Sequence, residues 1–251
     1  KASYSYKNAF DVVLVTVKQT HLSDLVPVIQ SMTYPDSQIV FFQNGLGHEE
    51  IINCLYKRMW TYAMITTEGA LRVSQNEVHH TGSGSIWVGP FPNNSALFHP
   101  KILSLIQSMN KLDEFEIHRD NPITNRMWEK LLINCIINPL TAINGVRNGE
   151  LRYLQYRKKI DRLIREVIQV SQRMGFGLKE TELRESVFEV CSKTSMNFSS
   201  TIQDIRRGVP TEINYLNGTL VRWGEKVGIS TPYNQELLGQ VKKLEVRNEN
   251  K

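Results

Sequence analysis

The sequence predicts an α/β fold, in which an incomplete parallel-sheet domain is followed by an all-helical C-terminal domain. The apolar, β-branched run FDVVLVTV at 10–17 is typical of a strand covered on both faces in a parallel sheet. Strand and helix patterns alternate after it, and beyond residue 120 only helical patterns remain. With 251 residues, of which 41% are hydrophobic, the chain can bury a core in each of two domains.

The first half follows the order expected of a doubly wound sheet, in which ligands bind beyond the carboxyl ends of the strands. Apolar and β-branched runs between turn residues define the strands, and helical periodicity defines the helices between them. Strands are predicted at 10–17, 38–43, 60–67, 70–73, 77–81, 85–88 and 115–118, and helices at 22–32, 48–59 and 100–110.

The second half begins at Asn121-Pro122, a cap and first-turn pair, so we place the domain boundary near residue 120. Domain 1–120 carries the sheet and domain 121–251 is helical. Gly175, Gly208 and Gly228 are predicted to end helices. Helices are predicted at 122–138, 150–174, 179–193, 198–207, 212–227 and 232–247.

Composition argues against several classes of function. The net charge of +5 is spread over 30 basic and 25 acidic residues, which favours a small anionic ligand over a nucleic acid. The three cysteines, Cys54, Cys135 and Cys191, lie far apart in apolar helical patterns, which indicates reduced thiols and no metal site. Neither a membrane span nor a signal peptide is recognisable, so a soluble, cytoplasmic protein is expected.

Motifs of other catalytic classes are missing from the sequence. It contains no G-x-S-x-G, H-E-x-x-H or P-loop motif. His79-His80 lies in a predicted strand without an acidic or cysteine partner at ligand spacing, so we expect no metal there. No G-x-G-x-x-G stands between a strand and a helix, and Gly82-Ser83-Gly84 is predicted to be a hairpin turn. A dinucleotide-binding domain needs an earlier strand, glycine loop and helix of about 50 residues, so we expect the natural protein to be longer.

The most informative segment is WEKLLINCIINP at 128–139, an apolar helix with one polar stripe. Lys130, Asn134 and Asn138 recur every four residues and therefore share a face. Burying them costs several kcal/mol unless each finds a partner, so the stripe should face a cavity or ligand. The alternative is a structural lysine with capping asparagines. Three polar residues on one helix face make this alternative weaker than it would be for a single residue. A desolvated lysine gives up its proton readily, as the reduction of a ketone requires, and the amides could hold substrate oxygens.

Other polar residues are ambiguous from the residues alone. Lys18 and Asn44 follow predicted strands, where Lys18 could meet a phosphate, although Asn44-Gly45 could be a simple turn. A turn explains Asn148 as well as a functional role does. Glu212 is more easily explained as a first-turn carboxylate facing a helix dipole than as a functional residue. At the start of the helix near 198, capping accounts for one of Asn197, Ser199 and Ser200 but not for all three.

Four motifs together resemble the ketopantoate reductase family, in order over nearly the whole chain. They are VTVK at 15–18, QNGLG at 43–47, WEKLLINCIINPLTAINGVRNGEL at 128–151 and NFSSTIQDIRRGVPTEINYLNG at 197–218. The resemblance implies that 1–120 is an N-terminally incomplete Rossmann-type dinucleotide-binding domain and that 121–251 is a helical substrate domain. It further implies an active site in the cleft between the two domains and a monomer or homodimer.

The implied activity is the NADPH-dependent reduction of 2-dehydropantoate, a small 2-oxo acid, to (R)-pantoate on the route to pantothenate and coenzyme A. By resemblance, Lys130 is the general acid and Glu212 is a carboxylate near the nicotinamide. For Glu212 the resemblance therefore replaces the first-turn interpretation that the residues alone favoured. The substrate contacts would be Asn44, Lys130, Asn134, Asn138, Asn148, Asn197, Phe198, Ser199 and Ser200, and the cofactor contacts Lys18, Asn44, Ala70 and Glu212.

The expected preceding segment would carry the glycine loop and the basic residue that selects the 2′-phosphate of NADPH. The choice of NADPH therefore comes from the resemblance alone. Two other interpretations stay open. One is a relative that reduces another 2-oxo acid with the same lysine, and the other is a non-catalytic helical or ligand-binding module.

Overall fold

The computed structural model describes residues 9–46, 60–92, 97–112 and 116–249. The predicted helix at 48–59, with Cys54, and Gly47 of the QNGLG motif lie outside these ranges. The chain divides into two compact units, Lys1–Gln43 with His48–Arg126 and Asn44–Gly47 with Met127–Lys251. The functions of the two predicted domains stay predictions.

The first unit is built on a sheet of mixed direction. Its strands are β1 (Val12–Val15), β2 (Gln38–Phe41), β3 (Trp60–Thr66), β6 (Ile86–Pro90) and β7 (Ile117–Arg119), hydrogen-bonded in the order β1-β2-β3-β6-β7. The pairs β1–β2, β2–β3 and β6–β7 are parallel, and β3–β6 is antiparallel. Two further strands, β4 (Gly69–Arg72) and β5 (Val78–Gly82), form a separate antiparallel pair. The α/β class predicted from the sequence is confirmed.

The core of this unit lies on β2, β3 and β6, with α1 (Leu22–Ser31) and α2 (Pro100–Asn110) as its helices. Every residue of β2 is buried, whereas Leu14 of β1 is 42% exposed. The prediction that the strand at 10–17 is covered on both faces is therefore wrong for β1, and β2 is the strand that is buried throughout. The core cluster consists of Val40, Tyr62, Met64, Ile86, Val88, Ile102, Ile106 and Ile117.

Gly82-Ser83-Gly84 is not the hairpin turn that the sequence suggested. The hairpin turn between β4 and β5 lies at 73–77, and the glycines connect β5 to β6. A Cβ at Gly84 would lie 2.5 Å from the backbone carbon of Thr67, so this crossing of two chain segments requires glycine.

The second unit is helical, as predicted. Its helices are α3 (Ile123–Asn144), which starts within the first unit, α4 (Leu154–Arg173), α5 (Glu180–Lys193), α6 (Ser200–Arg207), α7 (Asn217–Val227) and α8 (Pro232–Glu249). None of the described helices has the length and apolarity that crossing a membrane would require.

The helix α3 runs six residues past the predicted end at 138, through Pro139. A proline inside a helix cannot donate to the carbonyl four residues earlier, here that of Cys135. Asn217 of α7 donates to this carbonyl from Nδ2 at 2.9 Å, so a side chain replaces the missing helix bond. The helix that carries the polar stripe thereby continues as one element.

Candidate active site

The polar stripe of α3 lies in the apolar setting that the sequence suggested. Leu131, Leu132, Cys135 and Ile136 are fully buried on the same helix. Asn138 is buried as well, and Lys130 and Asn134 are partly buried.

Lys130 is held largely out of water. Burial lowers the pKa of its ammonium group from 10.5 to about 8, and the charge of Glu212 opposes this change. The buried Glu212 is thus close enough to Lys130 for its carboxylate to favour the charged form of the amine. An amine with a pKa near 8 is mostly protonated at neutral pH and releases its proton easily, which suits a general acid.

Glu212 precedes a helix instead of lying within one. It stands in a turn before α7, so the first-turn interpretation does not describe it. Its carbonyl accepts from the backbone N–H groups of Tyr215 at 2.9 Å and Leu216 at 3.1 Å. Thr211, the preceding residue, donates to Oε1 of Glu245 from its backbone nitrogen at 2.8 Å and from its hydroxyl at 2.6 Å. The turn is therefore fixed by α8, which carries Glu245.

The start of α6 is tied to the polar stripe by two adjacent serines. Ser199 is the N-cap of α6 and accepts from the backbone N–H of Ile202 at 3.4 Å. The buried hydroxyl of Thr141 on α3 donates to Ser199 Oγ at 2.7 Å. Asn138 Nδ2 donates to Ser200 Oγ at 3.4 Å, and Ser200 is exposed. The structure thus uses the Ser199 hydroxyl internally and leaves that of Ser200 accessible.

Asn148 and Asn197 are joined through their backbones. Asn148 donates from its backbone nitrogen to the carbonyl of Asn197 at 3.0 Å, and from Nδ2 to Thr194 Oγ1 at 2.9 Å. Its Oδ1 is buried and has no hydrogen-bond partner among the described residues. Asn148 therefore shapes the segment before α6 and keeps one acceptor available.

Phe198 contacts two cationic side chains through its ring. The guanidinium carbons of Arg147 and Arg206 lie 4.3 Å and 3.8 Å from its ring centroid. Its carbonyl accepts from Gln203 Nε2 at 2.9 Å. Cation–π contacts of this kind hold an aromatic ring in place, so Phe198 stabilises the segment between Asn197 and Ser200.

Gln43, which the sequence analysis did not single out, anchors the end of β1 to the end of β2. Its Nε2 donates to the carbonyls of Val15 at 2.9 Å and Val17 at 2.8 Å. Lys18, partly buried, directly follows this anchored stretch and caps a short 3₁₀ helix at Gln19–His21. Only the motif QNG after a strand pointed to Gln43, because its acceptors lie 26 and 28 residues away.

Asn44 belongs to the short segment that groups with the second unit. Gly45 has a φ of +87°, a conformation that favours glycine, and the backbone bends at Asn44-Gly45. Thr219 on α7 donates from Oγ1 to the carbonyl of Leu46 at 3.4 Å. The segment that carries Asn44 therefore lies against α7.

The two-stranded sheet holds Ala70 and the histidine pair. Ala70 is exposed and pairs with His80 across β4 and β5. His79 contacts Glu77 and His80 contacts Glu68, each at 2.7 Å, so each histidine has an acidic partner, although the sequence showed none at metal-ligand spacing. Among the described residues, no three His, Cys, Asp or Glu side chains cluster closely enough to hold a metal.

The structure thus brings together Lys130 with Glu212, and Asn138 with Ser200. It gives Asn134 and Lys18 partly buried positions. Sequence reasoning missed Gln43, Thr141 and Glu245, whose partners are remote along the chain.

Comparisons with known proteins identify the family. The N-terminal model of "Ketopantoate reductase PanE/ApbA" matches residues 1–93, and the C-terminal model of the same family matches 122–245. A 2-dehydropantoate 2-reductase of Vibrio cholerae is 34% identical over 239 residues, which cover 94% of this chain and 78% of that protein. The enzyme of Bacillus subtilis is 31% identical over 254 residues, covering 100% of this chain and 80% of the relative.

Solved structures agree with these sequence matches. D-mandelate dehydrogenase, in a ternary structure with NADH and anilino(oxo)acetate, matches with a TM-score of 0.85 and 25% identity, covering 97% of this chain and 79% of the other. A probable 2-dehydropantoate 2-reductase of Bacillus subtilis matches with a TM-score of 0.76 and 29% identity, covering 96% of this chain and 79% of the other. The matched family models, together with relatives more than 30% identical, show that the chain belongs to the ketopantoate reductase family.

Proposed function

We propose that the protein reduces 2-dehydropantoate to (R)-pantoate, with hydride from NADPH and a proton from Lys130. The proposal rests on the ammonium group of Lys130, which lies on an apolar helix near the buried carboxylate of Glu212. Burial lowers the pKa of this ammonium group to about 8. The names of the relatives, 2-dehydropantoate 2-reductase, support the choice of substrate. A role in coenzyme A biosynthesis and a cytoplasmic location are part of the same proposal.

The proton transfer is required by the negative charge that hydride transfer leaves on the substrate oxygen. When hydride reaches the carbonyl carbon, its oxygen becomes an alkoxide and must be protonated. Lys130 Nζ donates this proton, becomes a neutral amine and is reprotonated from solvent. Glu212 keeps Lys130 charged before the reaction, because its carboxylate opposes the effect of burial on the pKa of the lysine.

Uncharged groups would orient the 2-oxo acid beside Lys130. Asn138 on α3 and Ser200 on α6 already lie within hydrogen-bond distance of each other, and Asn134 shares the helix face of Asn138. Amides and hydroxyls can both donate to carboxylate oxygens and accept from the substrate hydroxyl. Asn148 and Asn197 would complete this surface, with Phe198 and Ser199 holding its shape.

The residues present fit part of a nicotinamide dinucleotide. Lys18 and Asn44 follow the carboxyl ends of the parallel strands β1 and β2, where doubly wound sheets bind ligands. Gln43, beside them, has a buried Oε1 with no hydrogen-bond partner among the described residues, an acceptor suited to a ligand N–H or O–H group. Lys18 would hold a phosphate of the cofactor. The remainder of the dinucleotide would be held by Asn44, Ala70 and Glu212. The reduced nicotinamide supplies the hydride when bound.

The preference for NADPH over NADH rests on the family resemblance, and the solved D-mandelate dehydrogenase carries NADH. NADPH and NADH should therefore be compared in the same assay. We expect a lower KM for NADPH, and equal values for the two would contradict this part of the proposal.

The function is tested by following NADPH oxidation with 2-dehydropantoate, using the full-length protein as it is encoded. Lys130→Ala should lower kcat by about 10²–10⁴, the usual contribution of a general acid. Lys226→Ala, which changes an exposed lysine on α7, is the matched control and should leave kcat unchanged. A loss below tenfold in the Lys130 variant would argue against its role as proton donor.

A second candidate is the reduction of another 2-oxo acid with the same lysine. It is favoured by the likeness to D-mandelate dehydrogenase, at a TM-score of 0.85 and 25% identity. Competition between 2-dehydropantoate and 2-oxo-2-phenylacetate in one assay separates the two, because the true substrate has the higher kcat/KM. No turnover of any 2-oxo acid by the full-length protein would favour a non-catalytic binding module instead.

A further inference from the structure

The carboxylate of Glu245 on α8 is bound to a residue that lies 34 positions earlier. Its Oε1 accepts from the backbone nitrogen of Thr211 at 2.8 Å and from the hydroxyl of Thr211 at 2.6 Å. Thr211 is 3% exposed and Glu245 is partly buried, so both bonds are partly shielded from water. Hydrogen bonds to a charged acceptor are among the stronger ones in proteins.

These two bonds fix the backbone on both sides of Glu212. The Thr211 hydroxyl that donates to Glu245 also accepts from the backbone nitrogen of Ile213 at 3.2 Å. Residues 211–216 lie outside any helix, so the repeating bonds of a helix do not hold Thr211. The position of Glu212 therefore depends on an acceptor from α8 as well as on the bonds within its own turn.

The position of Glu212 matters for the charge of Lys130. Glu212 supplies the charge that opposes desolvation of the lysine, while the neighbouring Asn134, Asn138 and Cys135 on α3 are uncharged. Burial raises the pKa of the Cys135 thiol well above its ordinary value, so it stays neutral at the pH values of interest. Coulomb energy falls with distance, and a displaced Glu212 would favour the ammonium form of Lys130 less.

We propose that Glu245 is a positioning residue, which acts through Thr211 to hold the Glu212 carboxylate where it keeps Lys130 protonated. The C-terminal helix α8 then sets the protonation of a lysine on α3. The consequence for catalysis rests on the proposed function, but the consequence for Lys130 itself does not.

The conservative variant separates positioning from charge. Both bonds end on the same oxygen, Oε1, and glutamine retains an acceptor oxygen there. Glu245→Gln should therefore keep Glu212 in place, whereas Glu245→Ala releases Thr211. Thr211→Val offers a second route, because it removes the hydroxyl and retains the backbone N–H. Glu225→Ala, on the exposed face of α7, is the control for loss of a carboxylate.

The experiment is an NMR titration of Lys130 in the full-length protein, with its signal assigned through Lys130→Arg. Glu212→Gln should lower the titration midpoint by about one pH unit or more, since a nearby opposite charge shifts a pKa by about 1–3 units. Glu245→Ala and Thr211→Val should shift the midpoint in the same direction by a part of that amount. Glu245→Gln and Glu225→Ala should match the unmodified protein.

An unchanged midpoint in folded Glu245→Ala would overturn the proposal, as would equal shifts in Glu245→Ala and Glu245→Gln. If Glu245→Ala does not fold, Thr211→Val decides in the same way. The titration needs no turnover, so it separates this inference from the proposed function. If the protein is active, the alkaline limb of kcat should move with the NMR midpoint, which a loss of stability alone would not cause.

Discussion

Asn217 on α7 supplies the hydrogen bond that Pro139 denies to the carbonyl of Cys135 on α3. The same Nδ2 donates to Oδ1 of Asn234 at 2.9 Å. Asn234 in turn donates to Glu166 from its backbone nitrogen at 2.9 Å and from Nδ2 at 2.7 Å. This buried chain of polar groups connects α3, α4, α7 and α8, and so stabilises the helix that carries Lys130.

Replacing Asn217 by leucine should destabilise the protein strongly. The Cys135 carbonyl and Asn234 would both lose a buried partner, and each unsatisfied buried group costs about 1–3 kcal/mol. Urea unfolding should show a lower midpoint for Asn217→Leu, whereas Asn214→Leu, at an exposed position nearby, should change it little. Equal midpoints for the two variants would show that the bridge to Cys135 adds nothing to stability.

Local patterns were enough to predict the α/β class, the positions of the described strands along the chain and the polar stripe of α3. They predicted a helix end near Asn138 because proline normally stops a helix. The donor that lets the helix continue comes from Asn217, 82 residues away, and no local rule identifies it. The same reasoning applies to Gln43 and Glu245, whose importance depends on partners that only the fold brings near.

Local chemistry was also ambiguous where several roles share one residue type. A helix start needs only one capping side chain, and the sequence NFSS offers both Ser199 and Ser200. The sequence alone does not identify which serine is the cap. The structure assigns the cap to Ser199. Glu212 looked like a first-turn carboxylate because nothing in the sequence reveals that α7 begins later, at Asn217.

The two serines should respond differently to alanine substitution. Ser199→Ala removes an N-cap and one of the three acceptors near the buried Thr141 hydroxyl, so we expect a loss of about 1–2 kcal/mol in the free energy of unfolding. Ser200→Ala removes an exposed hydroxyl beside Asn138 and should leave stability unchanged while raising the KM for the 2-oxo acid. Urea unfolding and steady-state kinetics on both variants check this. An unchanged KM in Ser200→Ala would remove Ser200 from the substrate site.

The reaction should slow as the pH rises through about 8, the pKa of Lys130. A general acid must carry its proton, so kcat falls on the alkaline side of its pKa, and the lowered pKa brings this limb far below the 10.5 of an ordinary lysine. The pH profile of kcat with 2-dehydropantoate measures it. A profile that stays flat to pH 10 would exclude Lys130 as the acid.

Chemical rescue checks that this limb belongs to Lys130. Adding methylamine to Lys130→Ala should restore part of the activity, because a free ammonium ion can fill the vacated space and donate the proton. The bound ammonium ion meets the same burial and the same Glu212 charge as Lys130 does, so its pKa should also lie below the value in water. Amines of lower free pKa than methylamine should therefore move the alkaline limb to lower pH. A limb that is the same for every added amine would assign that pKa to another group.

Gln43 offers a test of the cofactor side. Gln43→Leu removes both donors to the carbonyls of Val15 and Val17, which should loosen the stretch that ends at Lys18. We expect the KM for NADPH to rise several-fold, with little change in kcat or in the KM for the 2-oxo acid, since the polar stripe of α3 is untouched. Gln75→Leu, an exposed residue in the β4–β5 turn, makes the same chemical change elsewhere and should have no effect. A fall in kcat at an unchanged KM for NADPH would show that Gln43 acts on the chemical step and not on the phosphate that Lys18 is proposed to hold.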